Sequence, residues 1–394
     1  MGRRSEWVRE PVLRGNQPGR WCARSPACTR RRRAESSSIG RPNWLAGSAP
    51  APRTGVGHSS GEPHSQQVGR PVAVGCALAG RFWPAPCIAE RNQRRKSGGA
   101  GMKFGVNLYK FIHYGNDIAG TREFVLTAES LGYNHVRLLD HVVGVVAERH
   151  PGTWKYHSKT TLREIFTLLG YLSALTSRIR LVAAIAVLPM RPAALVAKQA
   201  AEIDILSGGR MTLGVGVGYS AVEFEALGTA FADRGARMEE QITVLRKLWT
   251  ADCVNFKGKW HTLTDVALSP LPLQRPIPIW FGLGSEGKPV PPEPVLRRIG
   301  RLGDGWLPLF QPGPEAQAAV NVVHAAARGA GRNPADITME LNLIVGDKSK
   351  AQLLDELKRM RDFGATQVNV HFQAKTAGEE IEGAKRFREV MDAF

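Results

Sequence analysis

Cysteine is nearly missing from the part of the chain that can fold. Of five cysteines, Cys22, Cys28, Cys76 and Cys87 lie in the first hundred residues and only Cys253 lies beyond them. Residues 102–394 therefore hold no disulfide framework and no zinc-ligand spacing. Long apolar runs are missing too. The nearest is PVAVGCALAG at 71–80, short, interrupted by glycine and seventy residues into the chain. Neither a secretory signal nor a membrane span is expected, and the expected location is the cytoplasm. There is also no Walker A, no metal triad and no serine or cysteine nucleophile in an elbow, which removes P-loop and covalent hydrolase chemistry.

Acidic residues are scarce at one end. Residues 1–101 carry eighteen Lys and Arg against five Asp and Glu, a surplus of thirteen out of the chain's +18. The same stretch is rich in Pro, Gly, Ser and Arg (RRRAESSSIG, GSAPAPRTGVGHSSGEP, RNQRRKSGGA) and shows no helical or strand period. Such composition builds no core, so residues 1–101 are expected to be a disordered basic extension. It has no interleaved aromatics and no nucleic-acid module, so neither nucleic acid nor membrane is expected as a partner. An upstream extension without function, from a misplaced start, explains it equally well.

From Met102 onward, short apolar runs alternate with amphipathic helices. Strands are expected at Phe104–Tyr109, Asn134–Asp140, Ile179–Val187, Arg210–Gly218, Ile277–Leu283, Gly305–Phe310, Ile337–Val345 and Gln367–Phe372. The paired helices are expected at 120–131, Leu162–Leu175, Ala193–Leu206, Arg237–Trp249, Pro294–Leu302, Pro314–Ala330, Lys350–Phe363 and Glu379–Met391. Gly132, Gly303, Gly331 and Gly364 stand at helix ends. Eight such pairs in about 290 residues give an α/β chain closed as a (β/α)8 barrel, one domain over 102–394. The competing open sheet would carry GxGxxG at its first strand, which here ends in NLYKFIHYG.

In such a barrel the reactive residues stand at the C-terminal strand ends. The candidates are Asn107, Asp140 and His141, the Ala183–Val187 segment, Gly214 to Tyr219, Gly282 to Ser285, Trp306, Asn342 and His371. Asp140-His141 is the one acid–imidazole pair at a strand end, suited to orienting a ligand and exchanging a proton near neutrality; loop capping by Asp140 and a packed rim His141 is the plain alternative. Gly214, Gly216 and Gly218 alternate along the fourth strand, as close approach of a flat cofactor requires, or as crowding inside a tight barrel requires. Gly282, Gly284 and Ser285 offer backbone N–H groups for a phosphate. Arg191, Lys198, Arg234 and Arg237 are expected near the pocket, where they attract polyanions. Loops 142–161 and 220–236 are expected to cover it, and the insertion at 254–276 to form a small hairpin cap.

The blocks LLDH (138–141), VLPMRPAALVAKQAAEIDILSGGRMTLGVGVGYSAVEFEALG (187–228), RGARMEEQITVLRKLWT (234–250) and PIPIWFGLGS with RLGDGW (276–306) resemble the bacterial-luciferase-like monooxygenase superfamily, and most of all its branch using the 8-hydroxy-5-deazaflavin coenzyme F420. The resemblance covers 102–394 and implies a TIM barrel holding F420, or alternatively FMN, over the strand ends. It implies hydride transfer to or from a small organic substrate, with Asp140 at the ring edge and His141 as acid or base. A non-prolyl cis peptide is implied at about Ala184-Ile185, with Gly214, Gly216, Gly218 and Tyr219 lining the ring and ribityl chain and Gly282, Gly284 and Ser285 at the phosphate. Implied partners are a separate reductase and a second copy of the chain. Two other outcomes fit the same scaffold: an FMN-dependent two-component monooxygenase and a non-catalytic flavin-binding barrel. Ala183-Ala184 and the long GSEGKPVPPEP loop depart from the family pattern.

Overall fold

The computed structural model describes residues 101–150, 156–284 and 287–394. The expectation for residues 1–100, and that for Ser285, lie outside the described residues. Among the described residues ten strands follow the chain: β1 Lys103–Asn107, β2 His135–Leu138, β3 Arg180–Val187, β4 Met211–Gly216, β5 Val254–Lys257, β6 Thr262–Val266, β7 Ile279–Gly282, β8 Gly305–Leu307, β9 Thr338–Ile344 and β10 Gln367–His371. Eight of them close a parallel barrel in the order β1-β10-β9-β8-β7-β4-β3-β2. The seam pairs the first strand with the last, Lys103 opposite Gln367.

Nine α-helices among the described residues accompany the strands: α1 Ile118–Ser130, α2 Ile165–Leu175, α3 Ala193–Leu206, α4 Ala221–Ala226, α5 Arg234–Thr250, α6 Glu293–Leu302, α7 Pro314–Gly329, α8 Lys350–Asp362 and α9 Ala377–Ala393. Their starts are chemically marked. Asp117 accepts from Gly120 N at 2.7 Å, Ser349 and Gln352 form a reciprocal capping box, and Thr376 accepts from Glu379 N. The eight expected strand–helix pairs are all present. Segment 220–236, expected as a loop, instead holds α4 and the first turn of α5. The 254–276 insertion is a hairpin, β5 with β6. Glu240 of α5 accepts from the backbone N–H groups of Lys259, Trp260 and His261, so the hairpin is held to that helix.

Strand residues alternate between two environments. Val106, Val136, Leu181, Leu213, Phe281, Leu341 and Val368 belong to the core cluster shared with helix residues such as Phe124, Leu169 and Leu245. The intervening residues face the axis, where the barrel divides into two halves. One is apolar: Val182, Trp280 and Leu307, with Ala184 and Ile185 packed on them. The other is polar. Arg137 of β2 reaches Glu340 at 2.8 Å and Asn342 at 3.1 Å on β9, and Asn369 and His371 join them from β10. Buried Arg210 fastens the opposite end of β4. Its guanidinium donates to Ser173, Thr176, Ile179 and Ser207 with no carboxylate among these partners.

Candidate active site

At the C-terminal end of the barrel, β3 is irregular. Its register with β4 shifts between Ala183 and Ala186, and the Ala184-Ile185 peptide is cis, where the resemblance implied it. The irregular stretch leaves Ala184 and Ile185 partly exposed toward the mouth. The alternating glycines receive this bulge, which is the crowding explanation and not the ligand one. A Cβ on Gly214 would stand 2.0 Å from the Ala183 carbonyl oxygen. One on Gly216 would meet Ile185 Cδ1 at 1.8 Å, and one on Gly282 would meet Ile185 Cγ2 at 2.2 Å. Gly218, at φ +70°, faces Val187 and Phe224. Four of the glycines expected to line a cofactor therefore accommodate protein. Any flat ligand would instead lie against Ile185.

Gly284, at φ +87°, points its missing side chain at the Pro289 and Lys288 carbonyl oxygens, 2.8 and 3.3 Å from a built Cβ. The Cα side of this turn is therefore filled by protein, and the phosphate contact expected there is left to its backbone N–H groups.

Asp140 and His141 follow β2 and are both buried, but they do different work. Asp140 Oδ2 accepts from Val187 N at 3.0 Å and Arg191 Nε at 3.2 Å, and Oδ1 accepts from Arg191 Nη2 at 2.7 Å. Burial pushes the Asp140 carboxyl up while Arg191 opposes it. Both oxygens accept from protein groups, and the contact with Val187 N ties the end of the bulge to the loop after β2. His141 Nδ1 lies 2.9 Å from Oε2 of Glu223, a carboxylate only 1% exposed. The other oxygen of Glu223 accepts from Val142 N at 2.5 Å. An Nδ1–H donated to this carboxylate leaves Nε2 as the imidazole's second nitrogen.

Two tyrosines flank this imidazole. The Tyr156 ring is tilted against it at 4.3 Å between centroids, and Tyr219 meets it edge-on at 5.6 Å. Burial, with Glu223 beside it, pushes the Tyr219 hydroxyl up to about 12, so it stays protonated at neutral pH. Tyr156 lies on the returning arm of the loop after β2, which folds back through the Val145–His157 bridge.

His371 holds the opposite side. Burial, helped by Arg137, pulls its imidazole down to about 4. Asn107 Nδ2 stands 3.3 Å from its Nδ1 and Asn342 Oδ1 stands 3.0 Å from its Nε2. Both ring nitrogens are engaged, so His371 is a neutral support and not a reserve acid. Trp306 packs edge-on against Phe310 in the outer core, away from the axis.

The four expected cations are each engaged by protein groups, Arg191 and Arg234 at the barrel mouth. Arg191 also pairs with Glu164, Lys198 pairs with Glu202, Arg237 with Asp233, and Arg234 lies over the Phe231 ring while donating to the Gly218 carbonyl.

Glu223 escapes a reading of the sequence because Ser220-x-x-Glu223 has the spacing of a helix capping box. Ser220 does cap α4, but Glu223 turns away to His141. The polar half of the barrel has a readable signal: His135-x-Arg137, Glu340-x-Asn342 and Asn369-x-His371 each set two polar residues on one face of a strand.

Residues 102–393 match the luciferase-like monooxygenase family. An uncharacterized protein of Mycobacterium tuberculosis, Rv0940c, is 31% identical over 262 residues, 65% of this chain and 86% of its own length. An F420-dependent glucose-6-phosphate dehydrogenase of Amycolatopsis mediterranei is 31% identical over 189 residues, 47% of this chain and 51% of its own. Among solved structures, the coenzyme F420-dependent tetrahydromethanopterin reductase of Methanopyrus kandleri superposes with a TM-score of 0.56 at 16% identity, covering 72% of this chain and 97% of that one. That likeness shows a shared fold.

Proposed function

We propose that this chain, which belongs to the luciferase-like monooxygenase family, is a coenzyme F420-dependent oxidoreductase that passes a hydride between the deazaflavin and a small organic substrate. The observation that carries the reading is the Glu223–His141 pair, an imidazole oriented by a buried carboxylate at the barrel mouth beside the apolar Ala184–Ile185 surface. Relatives named as F420-dependent support the choice of cofactor.

The residues present fit a flat ring: Ile185 offers a partly exposed apolar surface backed by Val182, Trp280 and Leu307. Bound there, the deazaflavin supplies the hydride acceptor or donor at its C5. The chain supplies the rest. Backbone N–H groups of the Gly284 turn meet the cofactor's phosphate. Ile185, fixed between β4 and β7, sets the depth at which a ring can rest. Tyr156 and Tyr219 cover one side of His141 and limit water. His141 Nε2 moves the proton that accompanies the hydride, and Glu223 holds the ring so that Nε2 is the exchanging atom. Asp140 with Arg191 positions the bulge through Val187.

The barrel of 102–394 is proposed to work without residues 1–101. A homodimer fits the exposed Tyr171, Leu195 and Leu206 on α2 and α3, and a separate enzyme would restore the cofactor's redox state. His141→Ala should lower the chemical rate by roughly 10²–10⁴-fold with cofactor affinity nearly unchanged. Glu223→Gln should lower it less and shift the pH profile of kcat. Cofactor preference is measured by fluorescence titration of F420 and FMN. FMN binding tenfold tighter, together with oxygen-dependent turnover, would move the reading to a two-component monooxygenase.

A further inference from the structure

The axis-facing layer of a parallel barrel is ordinarily branched and apolar, yet here Asn107, Arg137, Asn342 and His371 stand together in its upper layer. Their partners fix the hydrogens. Arg137 can only donate, and its Nη1 gives to Glu340 Oε1 at 2.8 Å and Asn342 Oδ1 at 3.1 Å. The Asn342 oxygen therefore faces Arg137 and its NH2 group faces away. Asn107 Oδ1 accepts from Tyr109 N at 3.0 Å, so its Nδ2 is the atom 3.3 Å from His371 Nδ1. That nitrogen must accept, which puts the His371 hydrogen on Nε2 and aims it at Asn342 Oδ1, 3.0 Å away. The Asn369 amide stands 2.7 Å from the same Nε2. The same amide nitrogen also donates to Asn342 Oδ1 at 3.4 Å.

Donors are left over. Arg137 Nε is buried without a partner, and Arg137 Nη2 and the Asn342 NH2 have none among the described residues. The layer beneath them, His135, Glu340 and Asn369, is completely buried, while the Arg137 side chain keeps 13% exposure, so solvent and ligands reach this pair from the mouth. The one carboxylate nearby, Glu340, is spent on Arg137 and His135 and offsets the guanidinium charge. Donors without an acceptor, and without net charge, select an uncharged acceptor atom. Across the barrel, Ala184 and Ile185, the surface proposed to carry the flat ring, offer only hydrocarbon, and Val182 and Leu307 lie buried behind them.

We propose that Arg137 and Asn342 form a substrate-specificity site that binds the carbonyl oxygen of an uncharged substrate, whose hydrocarbon body faces the ring that rests on Ile185. His371 and Asn107 are positioning residues that hold Asn342. The proposal rests on the barrel mouth being the reactive site and not on the direction or occurrence of hydride transfer.

The test is calorimetric titration of the full chain, with and without oxidised F420, with cyclohexanone, methylcyclohexane and cyclohexanecarboxylate. Cyclohexanone should bind at least about tenfold more tightly than methylcyclohexane, the scale of one or two net hydrogen bonds. Asn342→Asp keeps the oxygen used by Arg137 and His371 but removes the NH2. Arg137→Lys keeps a cation beside Glu340 but removes the planar fork. Each should cut the cyclohexanone preference about fivefold or more while methylcyclohexane affinity stays within about twofold. If Arg137→Lys fails to fold, Asn342→Asp decides. Equal wild-type affinities, a preference that survives both substitutions, or tighter binding of the carboxylate would each overturn the proposal. Loss of the preference at saturating F420 would also overturn it, by giving the donor pair to the cofactor. None of these readouts involves turnover, so the hydride-transfer reading can fail separately.

Discussion

Gly216→Ala should destabilise the protein through one methyl group and one atom. The added Cβ would sit 1.8 Å from Ile185 Cδ1, with Ile185 Cγ1 next at 3.2 Å. Ordinary contact begins at 3.4 Å, so Cδ1 must retreat by at least 1.6 Å into a barrel already filled by Val182, Trp280 and Leu307. Overpacking of this kind costs about 1–3 kcal/mol. Ile185→Val deletes Cδ1 and alone should cost about 0.5–1 kcal/mol, the low end for a residue that is partly exposed. Combined, the two substitutions should be less damaging than their sum by about 1–2 kcal/mol, because the clash no longer exists. Gly214→Ala is the control. Its Cβ would meet the Ala183 carbonyl oxygen at 2.0 Å, a backbone atom that no rotamer change removes, so Ile185→Val should not rescue it. Urea unfolding of these single and double variants, without cofactor, measures all of these quantities. Additivity of Gly216→Ala with Ile185→Val would refute the account, and an unchanged unfolding midpoint for Gly216→Ala would return the glycines to a ligand-lining role.

Other perturbations test neighbouring contacts. Asp140→Asn leaves buried Arg191 with only the more exposed Glu164, and should cost about 3 kcal/mol in unfolding free energy while slowing turnover through the bulge. Glu380 is buried beneath Tyr114, and burial pushes its carboxyl up to about 7. Between about pH 4.5 and 7 the folded form holds a proton that the unfolded form has lost, so stability falls by about 3 kcal/mol as pH rises through that window. Glu380→Gln should remove the slope and give a higher Tm than wild type at pH 8, checked by thermal unfolding across pH. A chain beginning at Met102 should keep its Tm and F420 affinity within error, and cooperative loss of folding would show that residues 1–101 contribute to the barrel.

Element order is readable because each strand and helix carries its own period, and the barrel follows from eight repeats of one unit. Helix α4 spans only Ala221–Ala226, less than two turns, so its apolar spacing cannot be told from that of a loop and the segment after Tyr219 reads as one. Site residues are legible where local spacing marks them: His141 stands at a strand end in any barrel. Glu223 is hidden, since its partner is 82 residues away and its local spacing mimics a cap. The glycines are visible but their meaning is not. What fills the space above Gly216 is a side chain from β3, and only three-dimensional register brings Ile185 there. Asp140 is visible in the same way, while the arginine that occupies it lies 51 residues on.

The seam between β1 and β10 sets a clock on biosynthesis. Lys103 pairs with Gln367, so the first strand of the barrel waits for the last to be made. At ribosomal rates of roughly 5–20 residues per second, the 264 positions between them take on the order of 13–50 s. During that interval one edge of β1 presents unpaired backbone N–H and C=O groups, a template for the wrong neighbour. The nascent barrel therefore passes through an open, curled sheet whose exposure to aggregation ends only when β10 emerges, and conditions that slow translation after β9 should lower the soluble yield more than conditions that slow it earlier.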